Sequence, residues 1–288
     1  MHYNPGVAHN LAKRLEKALG PAEWDLLQRI ARTAEKLHLP LYVVGGLPRD
    51  VILGVPGGDF DLVVEGPAEA LANTLASKYG GRVIVHSRFG TAKWDLSAPN
   101  VRPSASWPVD ARPPLRALDF VSARSETYKH PGALPTVTLG SIDDDLRRRD
   151  FSINAIAIRL DGIHLGEVRD DFGGWGDIQA GQVRVLHDDS FTDDPTRMYR
   201  AVRYEQRYGF RIAGATQSLF APARPYIQML SAQRLRHELD LILDEPLAPA
   251  MLRRLGALDL LRPIHMALFY DRESGRRMAA TAPEPSIS

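Results

Sequence analysis

Between two short apolar runs, LYVV (41–44) and LVV (62–64), the chain carries GGLPRDVILGVPGGDFD (45–61). This predicts a strand, a Gly-Gly turn, a short helix around VILG, a second turn at 56–58, and a second strand. Strand side chains alternate between faces, so Asp59 and Asp61 point the same way while Phe60 and Leu62 point into the core. Two carboxylates one residue apart on a strand lie about 6–7 Å from each other, close enough to share a metal ion or to bridge a pair. The glycines let backbone N–H groups approach a phosphate, and Arg49 stands where it could meet one at a helix N-terminus. A strand-end turn with two solvated aspartates is the alternative. No Gly-Lys-Ser/Thr follows, which excludes a Walker loop, and a dinucleotide Gly-x-Gly-x-x-Gly is absent.

The chain's 288 residues suffice for a full core and for two modest domains. No apolar run reaches the roughly 20 residues of a membrane span, and no N-terminal segment reads as a signal peptide. The absence of cysteine excludes disulfides and thiolate metal sites and fits a reducing, cytoplasmic setting. With a formal net charge of +1, nucleic acid would have to be bound through a local patch rather than a global field.

Residues 8–37 have helical periodicity, broken at Gly20-Pro21. Residues 67–80 predict another amphipathic helix, with Gly80 at its end. RVIVH (82–86) and TAKWDL (91–96) alternate as strands, and ALDFVSAR (117–124) resumes as a strand. Residues 97–116, with five prolines, and residues 129–141 are expected to be irregular. DDDLRRRDFSINAIAI (143–158) passes from a charged helix into an apolar segment. From Asp193 onward the pattern is mostly helical, and the tail 264–288 is expected to be disordered. The composition shift near 160–170 sets the expected division: an α/β domain at 1–165 and a helical domain at 166–288.

Three further clusters carry chemistry. Asp119, in LDFV, would supply a third carboxylate if its strand lay beside the Asp-x-Asp strand; a capping or surface aspartate is the alternative. Arg147-Arg148-Arg149-Asp150 precedes an apolar stretch holding Asn154. Consecutive guanidinium groups suit a polyphosphate, although a charge cluster at a core element is also an ordinary helix end. In DDPTRMYRAVRY (193–204), Pro195 suits a first helical turn with Asp193 or Asp194 as N-cap. Arg197, Arg200 and Arg203 share a broad face, while Met198, Val202 and Tyr199 face the core. A solvated basic face is the alternative there.

Taken in order, GGLPRD…DFD, RRDFSINA and DDPTRMYRAVRY resemble the motifs of class II tRNA nucleotidyltransferases, the CCA-adding enzymes with their CC- and A-adding variants, and of bacterial poly(A) polymerases. The resemblance covers residues ~35–245, with a weaker match at SAQRLRHELDLIL (231–243). It implies an α+β fold: a polymerase-β-like nucleotidyltransferase head with a small mixed sheet, followed by an all-α neck. It gives Asp59 and Asp61 the binding of Mg²⁺, with Asp119 at the third acidic position. Gly45, Gly46, Arg49, Arg149, Asp150 and Asn154 become nucleotide contacts. Asp194 and Arg197 become the pair that reads the incoming base, with Arg200 and Arg203 as further contacts on the same helix. The partners implied are tRNA, at its 3′ end, with CTP and ATP. The reaction implied is Mg²⁺-dependent attack of the RNA 3′-hydroxyl on the α-phosphorus, releasing pyrophosphate.

The base-reading assignment has a physical rationale. A carboxylate accepts from an exocyclic amino group and an arginine donates to the neighbouring ring nitrogen, a pattern that cytosine and adenine present and uracil and guanine do not. Departures from the family are Asp193 in place of the usual glutamate, Lys129-His130 where an arginine is expected, and the missing match to the family's C-terminal helical body and tail. Poly(A) polymerase, a small-molecule nucleotidyltransferase using the same head, and a non-enzymatic RNA-binding module are the competing readings.

Overall fold

The computed structural model describes residues 10–55, 60–86, 90–98, 100–101, 115–271 and 273. The turn 56–58, Asp59, most of the Pro-rich segment and the tail from 274 onward lie outside these residues. The chain divides into two compact units, 1–127 with 136–179, and 128–135 with 180–288.

The first unit opens with α1 (Ala12–Ala18) and α2 (Pro21–Lys36), separated at Gly20 as the Gly-Pro step requires. Then follow β1 (Leu41–Val44), α3 (Gly46–Leu53), β2 (Asp61–Val64) and α4 (Ala68–Tyr79). The hairpin β3 (Arg82–His86) and β4 (Thr91–Asp95) leads on to β5 (Ala117–Ser122). A second hairpin joins β6 (Arg124–Thr127) to β7 (Thr136–Leu139). The unit closes with α5 (Ile142–Arg147), β8 (Ala157–Arg159), β9 (Val168–Arg169) and α6 (Gly174–Ala180). Seven strands form one mixed sheet in the order β3-β4-β5-β2-β1-β8-β9, with β2 and β5 parallel.

Two expectations change here. Residues 136–139 are a strand, not an irregular segment: TVTL pairs in antiparallel register with Arg124–Thr127. The expected division at 165/166 falls inside the first unit, because β9 hydrogen-bonds to β8 in the same sheet.

Alternation along the strands separates two faces. Leu41, Val43, Leu62, Val64, Ala92, Trp94, Leu118 and Phe120 join residues of α1, α2 and α4 in the main core. Tyr42, Val44, Val63 and Ala157 pack instead with Ile142 and Leu146 of α5. Asp61 and Asp119 have the parity of this second face. Helix α5 is fixed by a capping box, in which Ser141 Oγ accepts from the Asp144 amide and Asp144 accepts from the Ser141 amide.

The second unit contains β10 (Gln182–Val183), α7 (Ser190–Asp193), α8 (Arg197–Tyr208), β11 (Arg211–Ile212), α9 (Gly214–Ser218), α10 (Phe220–Ala223), α11 (Ala232–Leu243) and α12 (Ala248–Ala257). Among its described residues the strands are the two-residue parallel pair β10–β11, and the other regular elements are helices. Met198, Tyr199 and Val202 are buried, and Tyr199 Oη donates to the Leu260 carbonyl at 3.0 Å. No helix among the described residues is long and apolar enough to cross a membrane.

Trp94 anchors the first unit's core. It is fully buried, and its Nε1 donates to the Gly80 carbonyl at 2.9 Å. Gly80 and Gly81 have φ of 82° and 93°, a backbone that turns sharply off α4. A Cβ at Gly81 would lie 2.6 Å from Trp94 Nε1, so the bare backbone is what admits the indole. Trp94→Ala is expected to lower the unfolding free energy by about 3–5 kcal/mol, measured by urea titration. A loss below about 1 kcal/mol would contradict this packing account.

Candidate active site

The first unit's site is built around Gly45, the residue between β1 and α3. Its φ of 75° and ψ of −120° favour glycine, and a Cβ there would stand 2.9 Å from Asp61 Oδ2 and 3.2 Å from Arg149 Nη1. A carboxylate and a guanidinium therefore both approach the bare backbone at the start of a helix. At Gly46 the same construction meets Arg49 Nη2 at 3.3 Å. No side chain of the N-cap residue closes the helix start, so the first-turn amides of α3 add donors to this corner.

Asp61 is the exposed first residue of β2, and strand register sets it directly beside Asp119 on β5. Next across the sheet, Lys93 of β4 is paired with Asp119 in register, and its Nζ lies 3.6 Å from Asp119 Oδ2. Lys93, Asp119 and Asp61 thus form one row over three neighbouring strands. Two aspartates at equal register on adjacent strands, whose backbones run about 4.8 Å apart, give the all-oxygen donor set that suits a hard divalent cation. Asp59 lies outside the described residues; among those described, no three acidic, His or Cys groups cluster as a metal site.

Behind this row, Arg49 is buried and oriented from two sides. Its Nη1 donates to Asn154 Oδ1 at 2.7 Å and its Nε to Asp50 Oδ1 at 3.0 Å. Asn154 Nδ2 in turn donates to Asp150 Oδ1 at 3.0 Å, which also accepts from the Phe151 amide at 2.8 Å. Asp150 and Asn154 are both buried and bonded inward, so the structure places them as the support of Arg49.

Arg149 is held by a residue that the motif reading passed over. Its Nη2 donates to Asp145 Oδ2 at 2.9 Å, while Arg148 donates to Asp145 Oδ1 at 2.6 Å and to Glu126 Oε1 at 2.9 Å. Arg124 Nη2 also reaches Glu126 Oε1, at 3.0 Å. Burial pushes the Asp145 carboxyl upward, but Arg149 and Arg148 outweigh it and hold the group below the usual carboxylate range.

In the second unit Asp194 lies between α7 and α8. Its Oδ1 accepts from the Thr196 amide at 3.0 Å, from Thr196 Oγ1 at 2.7 Å and from Arg234 Nη2 at 2.7 Å. Arg234, on α11, also donates to the Gly132 carbonyl at 2.9 Å. The expected helix start at Pro195 is displaced: i→i+3 bonds from Arg197 and Met198 to Asp194 and Pro195 make a tight turn, and the regular helix begins at Arg197. Along α8 the arginines are not a solvated stripe. Arg197 is buried and its Nη1 donates to Ser190 Oγ at 2.7 Å. Arg203 is buried too, 3.9 Å from Glu238 Oε2, and Arg200 is half-buried. Burial pushes the Glu238 carboxyl up, partly offset by Arg200 and Arg203.

Residues 41–184 match the family model described as the poly A polymerase head domain. The chain is 41% identical over 248 residues to an A-adding tRNA nucleotidyltransferase of Halalkalibacterium halodurans, covering 85% of this chain and 54% of the relative. It is 40% identical over 242 residues to an A-adding tRNA nucleotidyltransferase of Geobacter sulfurreducens, covering 83% of this chain and 26% of the relative. The structure is similar to the Thermotoga maritima CCA-adding enzyme complexed with tRNA, with a TM-score of 0.78, 32% identity, and coverage of 95% of this chain and 60% of that one. The chain therefore spans about half or less of the length of these two curated relatives.

The Asp145 contacts carry a pH prediction. A carboxyl depressed in the fold stabilises it above the unfolded value of about 3.9 and loses that contribution as pH falls through the lower folded value. Asp145→Asn should cost about 3–5 kcal/mol at neutral pH and lose stability less steeply than the unaltered chain below about pH 4. Urea titrations across that range check both; parallel stability–pH curves would contradict the assignment.

Proposed function

The chain belongs to the poly(A) polymerase head-domain family in its class II tRNA nucleotidyltransferase branch, and from that membership we propose that it extends the 3′ end of tRNA without a template. The observation that carries the proposal is the shared register of Asp61 and Asp119 beside the bare backbone of Gly45 and the guanidinium of Arg149. This is a carboxylate pair for cations next to donors for a polyphosphate.

In this reading Asp59, Asp61 and Asp119 hold Mg²⁺, which when bound supplies Lewis-acid stabilisation of the phosphoryl oxygens. Arg149, fixed by Asp145, and Arg49, fixed by Asn154 and Asp50, present guanidinium groups to the triphosphate, with the Gly45 and Gly46 backbone beside them. One carboxylate of the row accepts the proton of the RNA 3′-hydroxyl. The hydroxyl oxygen bonds to the α-phosphorus, and the bond from that phosphorus to the bridging oxygen of pyrophosphate breaks. Catalysis by position and charge requires no covalent enzyme intermediate.

Asp194 and Arg197 read the base. The side-chain hydrogen bonds of Asp194 from Thr196 and Arg234 fall on Oδ1, and Oδ2 is the acceptor offered to an exocyclic amino group. Arg197 donates to the adjoining ring nitrogen. The A-adding variant of the activity is favoured, because the relatives at 40–41% identity carry that name, against 32% for the CCA-adding structure.

Asp61→Ala should abolish nucleotide addition while leaving the thermal unfolding transition in place; retained turnover would remove the metal assignment. Arg197→Ala should relax discrimination against UTP and GTP by roughly tenfold or more, the scale of one bidentate base contact. Unchanged base selectivity in that variant would remove Asp194 and Arg197 as the reader.

A further inference from the structure

The motif reading assigns nothing to Lys93, yet it stands in the carboxylate row. On β4 its neighbours Ala92 and Trp94 are fully buried on the core face, which sends Lys93 to the opposite face with Asp119 and Asp61. The register Lys93–Asp119–Asp61 is continuous across β4, β5 and β2. The ammonium is 3.6 Å from Asp119 Oδ2, with the two side chains 43% and 59% exposed. Pairs this exposed contribute little to stability and exchange readily.

We infer that Lys93 is a positioning cation that holds Asp119 when no metal is bound and competes with a bare metal ion for that carboxylate. The inference rests on the reading of Asp61 and Asp119 as metal ligands. An ammonium within a few ångströms of a divalent cation repels it, whereas a metal–nucleotide complex brings polyphosphate oxygens that the same ammonium attracts. Lys93 therefore biases the site against free metal and toward metal arriving with its nucleotide. It does so through Asp119, by charge.

The test is binding without RNA, so that no turnover occurs. Manganese titrations followed by electron paramagnetic resonance should show Lys93→Met binding bare Mn²⁺ roughly three- to tenfold tighter than the unaltered chain, with Lys93→Gln behaving alike. In the Asp119→Asn background, where no carboxylate is left to compete for, the same substitution should give a clearly smaller gain. Affinity for the manganese–ATP complex, measured by equilibrium dialysis, should fall several-fold in Lys93→Met. Unchanged or weaker Mn²⁺ binding in Lys93→Met, an equal gain in the Asp119→Asn background, or unaltered manganese–ATP affinity overturns the inference while leaving the metal reading intact. If Asp61→Asn leaves Mn²⁺ binding by the otherwise unaltered chain unchanged, the metal reading fails and the inference with it.

Discussion

The missing side chain at Gly45 is the constraint on which the first unit's site depends. With φ at 75° the backbone takes a path that an L side chain resists, and a methyl group there would press on both Asp61 Oδ2 and Arg149 Nη1. The close approach of a carboxylate, a guanidinium and the helix start to one point follows from that vacancy. Sheet register completes the arrangement, since Asp61 and Asp119 can share a face and a row only while β2 and β5 stay parallel and in step. A slip of one residue would turn Asp119 into the core and send Phe120 to the carboxylate face.

The charged side chains around that point are organised by internal partners. Asp145 is fully buried between Arg148 and Arg149, and Asn154 ties Arg49 to Asp150. Buried ion pairs of this kind give little net stability, because desolvation consumes much of the Coulomb attraction. Their effect is to hold guanidinium groups in fixed directions, so that a polyphosphate would meet donors already aimed. The second unit repeats the device: Arg234 and Thr196 occupy one oxygen of Asp194, and Ser190 fixes Arg197.

Much of this was legible in the sequence, for reasons tied to period and punctuation. The path from β1 through α3 to β2 follows from two β-branched runs, a Gly-Gly step and a helix too short to be anything but a connection. Asp119 can join the Asp-x-Asp strand only if its own strand lies beside it, and the parallel pairing of β2 with β5 meets that condition. What stayed hidden depended on partners distant along the chain. Thr136–Leu139 alternates, but over only four residues that follow a turn-rich stretch with two prolines and a glycine, and the ladder supplied by Arg124–Thr127 is what makes it a strand. Asp145 is one of three consecutive aspartates in a charged helix, and only packing shows that it alone of the three is fully buried. Lys93 acquires meaning through cross-strand register, and Arg234 through a bond forty residues from Asp194. The burial of Arg197 and Arg203 reverses the simplest reading of an arginine-rich helix, since their polar ends find Ser190 and Glu238 inside the unit.

The most direct measurement of the account's central claim is incorporation of labelled nucleotide onto defined RNA ends. Transcripts of one tRNA, ending at the position before the terminal triplet, after one cytidine, or after both, would each be offered labelled ATP, CTP, UTP or GTP with Mg²⁺. The account predicts that ATP adds a single residue to the transcript ending in two cytidines, and that UTP and GTP give no product. Absence of RNA-dependent incorporation from both ATP and CTP on every transcript would contradict it.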